Sequence, residues 1–240
     1  MAGEGDTMTR IRIWDLPLRL FHWTLVVLVA ASIITIKLGG NWVEWHFRCG
    51  YAILSLLLFR IVWGLAGPRY ARFAHFLKSP REILGYVRTL NSRTSAPAPG
   101  HNPLGGLAVA ALLAVLLLQA TSGLFSNDDV VNEGPLVALI SKQTSDLVSE
   151  VHSTNAYAVY ALLVLHILAI GFYRWRLKRN LLLAMITGSL VLPEGAVANT
   201  PPWIAVRDGL ALWLRAALVL AACAALVWLI VAHTQPPAAG

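Results

Sequence analysis

The sequence predicts an all-α integral membrane protein, and three observations lead to that fold class. The chain of 240 residues is 57% hydrophobic. Only 13% of its residues are charged, whereas about 25% is usual in a soluble domain. Five apolar runs approach or exceed the roughly 20 residues that a helix needs to cross a bilayer. This composition excludes an ordinary soluble globular domain.

The five apolar runs are the predicted transmembrane spans. They cover residues 20–36, 45–67, 103–125, 150–175 and 210–232. Pro68 follows the second run, as expected where a helix stops. The fifth run is separated from the fourth by a longer connection, which makes it the outlying element of the set.

The distribution of charge predicts the orientation of the chain. Segment 68–102 carries six basic residues against one acid, and segment 126–150 carries five acids against one lysine. Basic connections remain in the cytoplasm, so the N-terminus is predicted to be cytoplasmic and the C-terminus periplasmic. The net charge of +7 is then explained by membrane topology, and no nucleic-acid partner is expected.

Four histidines form two pairs at matching depths in the predicted topology. His152 and His166 share the fourth span, where fourteen residues correspond to about 21 Å and a net rotation of about 40°. His46 begins the second span near the outer face, level with His152. His22 lies in the first span toward the inner face, level with His166. Pairs of neutral imidazoles at two depths are suited to bind two haem irons, one above the other.

Other interpretations of these histidines remain open. A lone histidine at a membrane interface commonly caps a helix or faces headgroups. We interpret His75, His101 and His233 in that way. A haem-free membrane scaffold or transporter would require His152 and His166 to face water or a substrate path. The lack of intramembrane acids argues against a transporter of the usual kind.

Several further residues are candidates for contacts with a porphyrin. Gly50 lies four residues after His46 on the same helix face and would leave space for a flat macrocycle. The first span has no such glycine. Arg19 and Arg60 toward the inside, and Arg48 near the outside, are candidate partners of haem propionates, although arginines near span ends also extend to the interface.

The chain resembles the prokaryotic di-haem cytochrome b family of the cytochrome b-561 type, which includes the b-type subunits of nickel–iron hydrogenases. The matching motifs are WDLPLRLFHW, WHFRCGY, FRIVWGLAGPRYARF, GHNPLGGL, SGLFSNDD, VHSTNAY and LHILAI. The resemblance covers roughly residues 10 to 190. It implies a four-helix bundle that binds two haem b groups, with ligands at the positions of His22, His46, His152 and His166. Residues 1–190 are thus the expected di-haem core, and residues 191–240 supply a connecting loop and a fifth transmembrane helix.

The resemblance implies a bacterial inner-membrane protein that carries electrons across the bilayer. The expected partners are membrane lipid, a periplasmic redox protein (a c-type cytochrome or a hydrogenase-like protein) and the quinone pool of a respiratory chain. Two histidine ligands per iron favour electron transfer over oxygen chemistry, and no catalytic residue is predicted. Some relatives are self-contained superoxide:quinone oxidoreductases. The acidic outer segment argues against an anionic substrate, although Lys37, Arg48 and Lys142 could form a local basic spot.

Overall fold

The computed structural model describes residues 8–89, 100–193 and 208–234. The helices are α1 (Leu16–Leu38), α2 (Val43–Ala66), α3 (Phe73–Phe76), α4 (Pro80–Thr89), α5 (Pro103–Gly123), α6 (Lys142–Trp175), α7 (Leu181–Thr187) and α8 (Leu210–Thr234). Strands β1 (Met8–Arg12) and β2 (Ser189–Pro193) form the sheet. Arg93, which contributes to the predicted charge asymmetry, and residues 194–207 of the predicted connecting loop lie outside the described residues.

Five helices are long and apolar enough to cross a membrane: α1, α2, α5, α6 and α8. This confirms the all-α fold class and the five predicted spans. The largest difference concerns α6, which begins at Lys142 instead of residue 150. The Ser141 hydroxyl accepts a hydrogen bond from the backbone nitrogen of Thr144. Because a capped, polar first turn does not raise the local hydropathy, the apolar run alone predicted the start of α6 too late in the sequence.

The described chain divides into two compact units. The first contains Met1–Leu20, Val62–Ala110 and His166–Trp213, and the second contains Phe21–Ile61, Ala111–Leu165 and Leu214–Gly240. The division follows contacts in space and cuts across all five long helices. The predicted division at residue 190 stays a prediction.

The core of the second unit is built by four helices. Val29 from α1, Ile53 and Leu57 from α2, Leu116 from α5 and Val159 from α6 form one buried cluster. Burying an aliphatic side chain of this size stabilises a fold by roughly 1.5–3 kcal/mol in water. Inside a membrane the gain comes instead from close packing of the helices.

Helix α8 packs within the same unit through a single stripe. Val227 forms a buried cluster with Leu54 of α2 and Leu124. Ala216 and Cys223 are buried as well, and their spacing to Val227 places all three on one helix face. The opposite face is apolar and exposed, as expected for lipid contact. The fifth helix is therefore packed against the bundle.

The first unit contains an antiparallel two-stranded sheet that the sequence analysis did not predict. Arg10 of β1 pairs with Val191 of β2. Gly188, with a φ of 81°, ends α7, and its carbonyl oxygen accepts hydrogen bonds from the backbone nitrogens of Ile13 and Trp14. Strands of five residues carry too short an alternating pattern to be separated from loop by sequence alone.

A buried carboxylate caps α1 in the first unit. Asp15 is 1% exposed. Its Oδ1 accepts hydrogen bonds from the backbone nitrogen of Leu18 at 2.8 Å and from Nε1 of Trp63 at 3.2 Å. Asp208, which is ion-paired with Arg12, accepts from the backbone nitrogen of Leu16 at 3.2 Å. The two carboxylates thus satisfy donors of the first turn of α1.

Two of the three remaining histidines differ from their predicted environment. His75 is half-buried, and its ring centroid lies 5.1 Å from that of Tyr70. His101 is half-buried, and its ring centroid lies 4.6 Å from that of Trp14 and 4.7 Å from that of Phe76. This imidazole is a packing residue rather than one that faces solvent. His233 is exposed, as expected, at the end of α8.

We expect Asp15→Asn to change the pH dependence of stability. Burial raises the pKa of Asp15, and the nearby carboxylate of Asp208 adds to this effect, while the hydrogen bonds to Leu18 and Trp63 oppose it. A carboxyl with a raised pKa in the folded state stabilises most below its unfolded pKa of about 3.9, and this contribution is lost as the pH rises through the folded pKa. The Tm of the Asn variant minus the Tm of the wild type should therefore increase from acid to neutral pH, because only the wild type loses this contribution.

Thermal unfolding in detergent at a series of pH values measures this difference. Glu150→Gln, which removes a carboxylate at an exposed position, is the control. A pH-independent difference for Asp15→Asn would contradict the account of the buried carboxyl.

Candidate functional site

A cavity of about 510 Å³ lies within the second unit. It is formed by residues of α1, α2, α5 and α6 together with the loop that follows α5. Its size falls in the range of small-molecule and cofactor sites, which is about 300–1,000 Å³. The walls combine aliphatic and aromatic side chains with two imidazoles, those of His46 and His152.

His46 and His152 are brought together across this cavity. Their ring centroids are 6.2 Å apart, and the planes of the two rings are nearly perpendicular, at 87°. Both side chains are half-buried. The sequence predicted that these two residues meet near the outer face, and the structure places them beside each other.

Backbone carbonyl groups orient both imidazoles. Nδ1 of His46 lies 2.9 Å from the carbonyl oxygen of Ser32 on α1. Nδ1 of His152 lies 3.0 Å from the carbonyl oxygen of Gln119 on α5. A carbonyl oxygen can only accept, so Nδ1 carries the proton in each ring and Nε2 keeps its lone pair. This is the tautomer of a histidine that binds a metal through Nε2.

The side-chain amides of Gln119 and Asn155, which the sequence analysis missed, form a hydrogen-bonded chain that leads to His152. The Gln119 side-chain amide donates to Nε2 of His152 at 3.1 Å and to its backbone carbonyl oxygen at 3.0 Å. Asn155 donates to Oε1 of Gln119 at 2.7 Å. A polar amide inside an otherwise apolar span is the signal that could have identified Gln119, because such a group needs partners within the membrane.

Two glycines leave space at the cavity. A Cβ atom built on Gly50 would meet no atom within 4 Å, and Gly50 lines the cavity. A Cβ atom on Gly123 would lie 3.0 Å from Cε1 of His152. Gly123, which was not among the predicted site residues, therefore permits the imidazole of His152 to lie close to α5.

Among the described residues that line the cavity, Lys37 and Asp128 are the charged ones. Arg48 is exposed, is ion-paired with Glu44 and stacks on Trp45, with its guanidinium carbon 4.9 Å from the ring centroid. It is not among the described residues that line the cavity. The predicted role of Arg48 toward a propionate stays a prediction, and its observed partners lie on its own helix.

The residues predicted for the inner site occupy both units. His22 and Arg60 belong to the second unit, and His166 and Arg19 belong to the first. His22 and His166 are half-buried, and Arg60 is 2% exposed. The guanidinium group of Arg19 donates to the carbonyl oxygens of Met185 and Ile186 at the end of α7. The pairing of His22 with His166 stays a prediction.

Comparison with protein families agrees with these features. The family model described as prokaryotic cytochrome b561 matches residues 13–188. Comparison with curated proteins and with solved structures gives no match. The matched range includes all four predicted histidine ligands and the first four long helices. The chain therefore belongs to the prokaryotic cytochrome b561 family, as a multi-pass bacterial membrane protein whose family implies haem b binding and electron transfer.

Proposed function

We propose that this cytochrome carries electrons across the bacterial inner membrane through two haem b groups, each bound by two histidines. The proposed partners are a periplasmic redox protein, such as a c-type cytochrome or a hydrogenase-like protein, and the quinone pool. The observation that supports this best is the His46–His152 pair, whose rings flank a cavity. Haem supplies one-electron redox chemistry, and the histidines, the cavity walls and nearby charges determine its position and potential.

The residues at the outer cavity fit a haem in three respects. Two imidazoles whose ring centroids lie roughly 6 Å apart would allow one metal ion to bind between their Nε2 atoms, with metal–nitrogen bonds of about 2.0–2.1 Å. The observed centroid separation is 6.2 Å. Each Nδ1 donates to a carbonyl group, which leaves Nε2 as the atom that would bind the metal. At His152 the metal would replace the Gln119 amide, which donates to Nε2 in this structure. Finally, Gly50 presents backbone to open space beside His46.

The proposal assigns His22 and His166 to the inner haem. Support comes from α6, which is one continuous helix and carries both His152 and His166. Their spacing in sequence corresponds to about 21 Å along a helix, which suits two redox centres at different depths. The buried Arg60 lies fourteen residues after His46, which is the same spacing as that between His152 and His166. It is the proposed cation near the inner haem.

The distribution of basic residues supports the proposed orientation of the chain in the membrane. Exposed basic residues occur between α2 and α5, namely Arg69, Arg72, Lys78, Arg81 and Arg88. This supports a cytoplasmic location for that connection and for the N-terminus, with a periplasmic C-terminus.

Self-contained oxidation of superoxide is less well supported. Two members of the suggested basic spot, Arg48 and Lys142, are ion-paired with acids.

Substitution of the histidines by alanine tests the proposal. We expect His46→Ala and His152→Ala each to lose one haem, because a b-type haem has no covalent link to the chain and depends on its axial ligands. His22→Ala and His166→Ala should each lose the other. The pyridine haemochrome assay on detergent-purified protein gives haem per chain, with about two in the wild type and about one in each variant.

The matched control for these variants is His233→Ala, which removes an exposed imidazole at the end of α8 and should retain both haems. A normal haem content in His46→Ala and His152→Ala would refute the outer ligand pair. A normal content in His22→Ala and His166→Ala would refute only the inner one.

The glycines at the outer cavity provide a second test that leaves every ligand in place. Gly50→Leu fills space beside His46, and Gly123→Ala places a methyl group against the His152 ring. We expect haem loss to be greater in Gly50→Leu, and Gly123→Ala to shift the spectrum and midpoint potential of one haem. Reduced-minus-oxidised visible spectra and redox titration measure these effects. Gly85→Ala, where a Cβ meets nothing, is the control, and unchanged spectra in both test variants would contradict the assigned cavity.

A further inference from the structure

Three cations lie in the segments that adjoin the outer cavity, and they differ in their partners. Arg48 is ion-paired with Glu44. Lys142 is ion-paired with Asp129 and Asp146. Lys37 makes no ion pair with a described side chain. It is also the one of these three that is among the described residues lining the cavity.

Lys37 is placed where a flexible cation can reach the end of the cavity. It lies in the last turn of α1 and is exposed. A lysine there has its charge favoured by the negative end of the helix dipole. Its aliphatic stem can cover apolar surface while the ammonium group remains near water. The apolar walls of the cavity supply that surface.

The acid that shares the cavity lining is already satisfied by its own loop. Oδ1 of Asp128 accepts hydrogen bonds from the backbone nitrogens of Val130, Val131 and Asn132, at 2.9, 3.0 and 2.9 Å. The Asn132 side chain donates to Oδ2. These donors hold the pKa of Asp128 well below its usual range. Asp128 therefore remains anionic and does not need Lys37 as a counter-ion.

We propose that Lys37 is the residue that binds a carboxylate of the ligand in the outer cavity. This inference rests on the proposed function, in which that ligand is haem b and the carboxylate is one of its propionates. Lys37 would act as a positioning residue and as a fixed positive charge near the His46–His152 pair. The neutralised pairs around Arg48 and Lys142 leave Lys37 as the available anion-binding group among these cations.

A double-mutant-type cycle tests this contact by altering the lysine of the protein and the carboxylates of the ligand, separately and together. Wild-type and Lys37→Gln full-length chains, freed of haem in detergent, are titrated with haem b and with its dimethyl ester, in which both propionates are uncharged. Loss of one charge-assisted hydrogen bond corresponds to about a tenfold increase in Kd. We expect this increase for haem b and no increase for the ester. Lys37→Arg should retain most of the affinity for haem b.

Redox titration of the holoprotein gives an independent readout. Removal of a nearby positive charge favours the oxidised form, so Lys37→Gln should lower the midpoint potential of one haem and leave the other unchanged. Arg48→Gln removes the alternative partner of a propionate and should have a smaller effect than Lys37→Gln. Lys78→Gln, at an exposed position of the first unit, is the control with the same change in charge and should leave both potentials unchanged. Since Lys37 is exposed, its replacement by Gln leaves the packed core intact.

The outcomes separate this inference from the proposed function. An equal effect of Lys37→Gln on haem b and its ester, or none on either, would overturn the role of Lys37 even if His46→Ala loses a haem. A larger effect of Arg48→Gln than of Lys37→Gln would overturn it too and would return the role to Arg48. If His46→Ala retains both haems, the outer site itself fails, whatever the lysine variants show.

Discussion

The hydrogen bonds from Nδ1 of His46 and His152 to helix carbonyl groups are the constraint on which the site depends. A polar ring within a membrane is costly unless its donor is satisfied, and a carbonyl oxygen of a packed neighbouring helix supplies the acceptor. Ser32 and Gln119 provide these oxygens. Because one residue of a helix corresponds to about 1.5 Å and about 100°, the orientation of each ring depends on the register between helices. The aliphatic core of the second unit maintains that register.

Charged side chains near the cavity of the second unit find partners within their own loop or helix. The segment after α5 is acidic in sequence, and three of its five carboxylates have partners within it: Asp128 accepts from backbone amides, and Asp129 and Asp146 are ion-paired with Lys142. Lys37 gains importance because the other cations already have acidic partners.

The first unit shows a different use of buried polar groups. Asp15 and Asp208 accept hydrogen bonds from the first turn of α1, and Trp63 of α2 donates to Asp15. An N-terminal cap of this kind contributes about 1 kcal/mol to helix stability. The ion pair of Asp208 with Arg12 links the residues just before α8 to β1. These contacts connect three segments that are far apart in sequence within one unit.

The sequence by itself determined the all-α membrane class, the five spans and the meeting of His46 with His152, because hydropathy and helix geometry act over short, regular distances. It also identified Gly50, whose place on the helix face of His46 follows from spacing alone. Only the tertiary structure decided which carbonyl groups orient the rings, that Gln119 and Gly123 adjoin His152, and that Lys37 instead of Arg48 lines the cavity. These features depend on the rotation and register of one helix against another, and an individual apolar run carries no information about either.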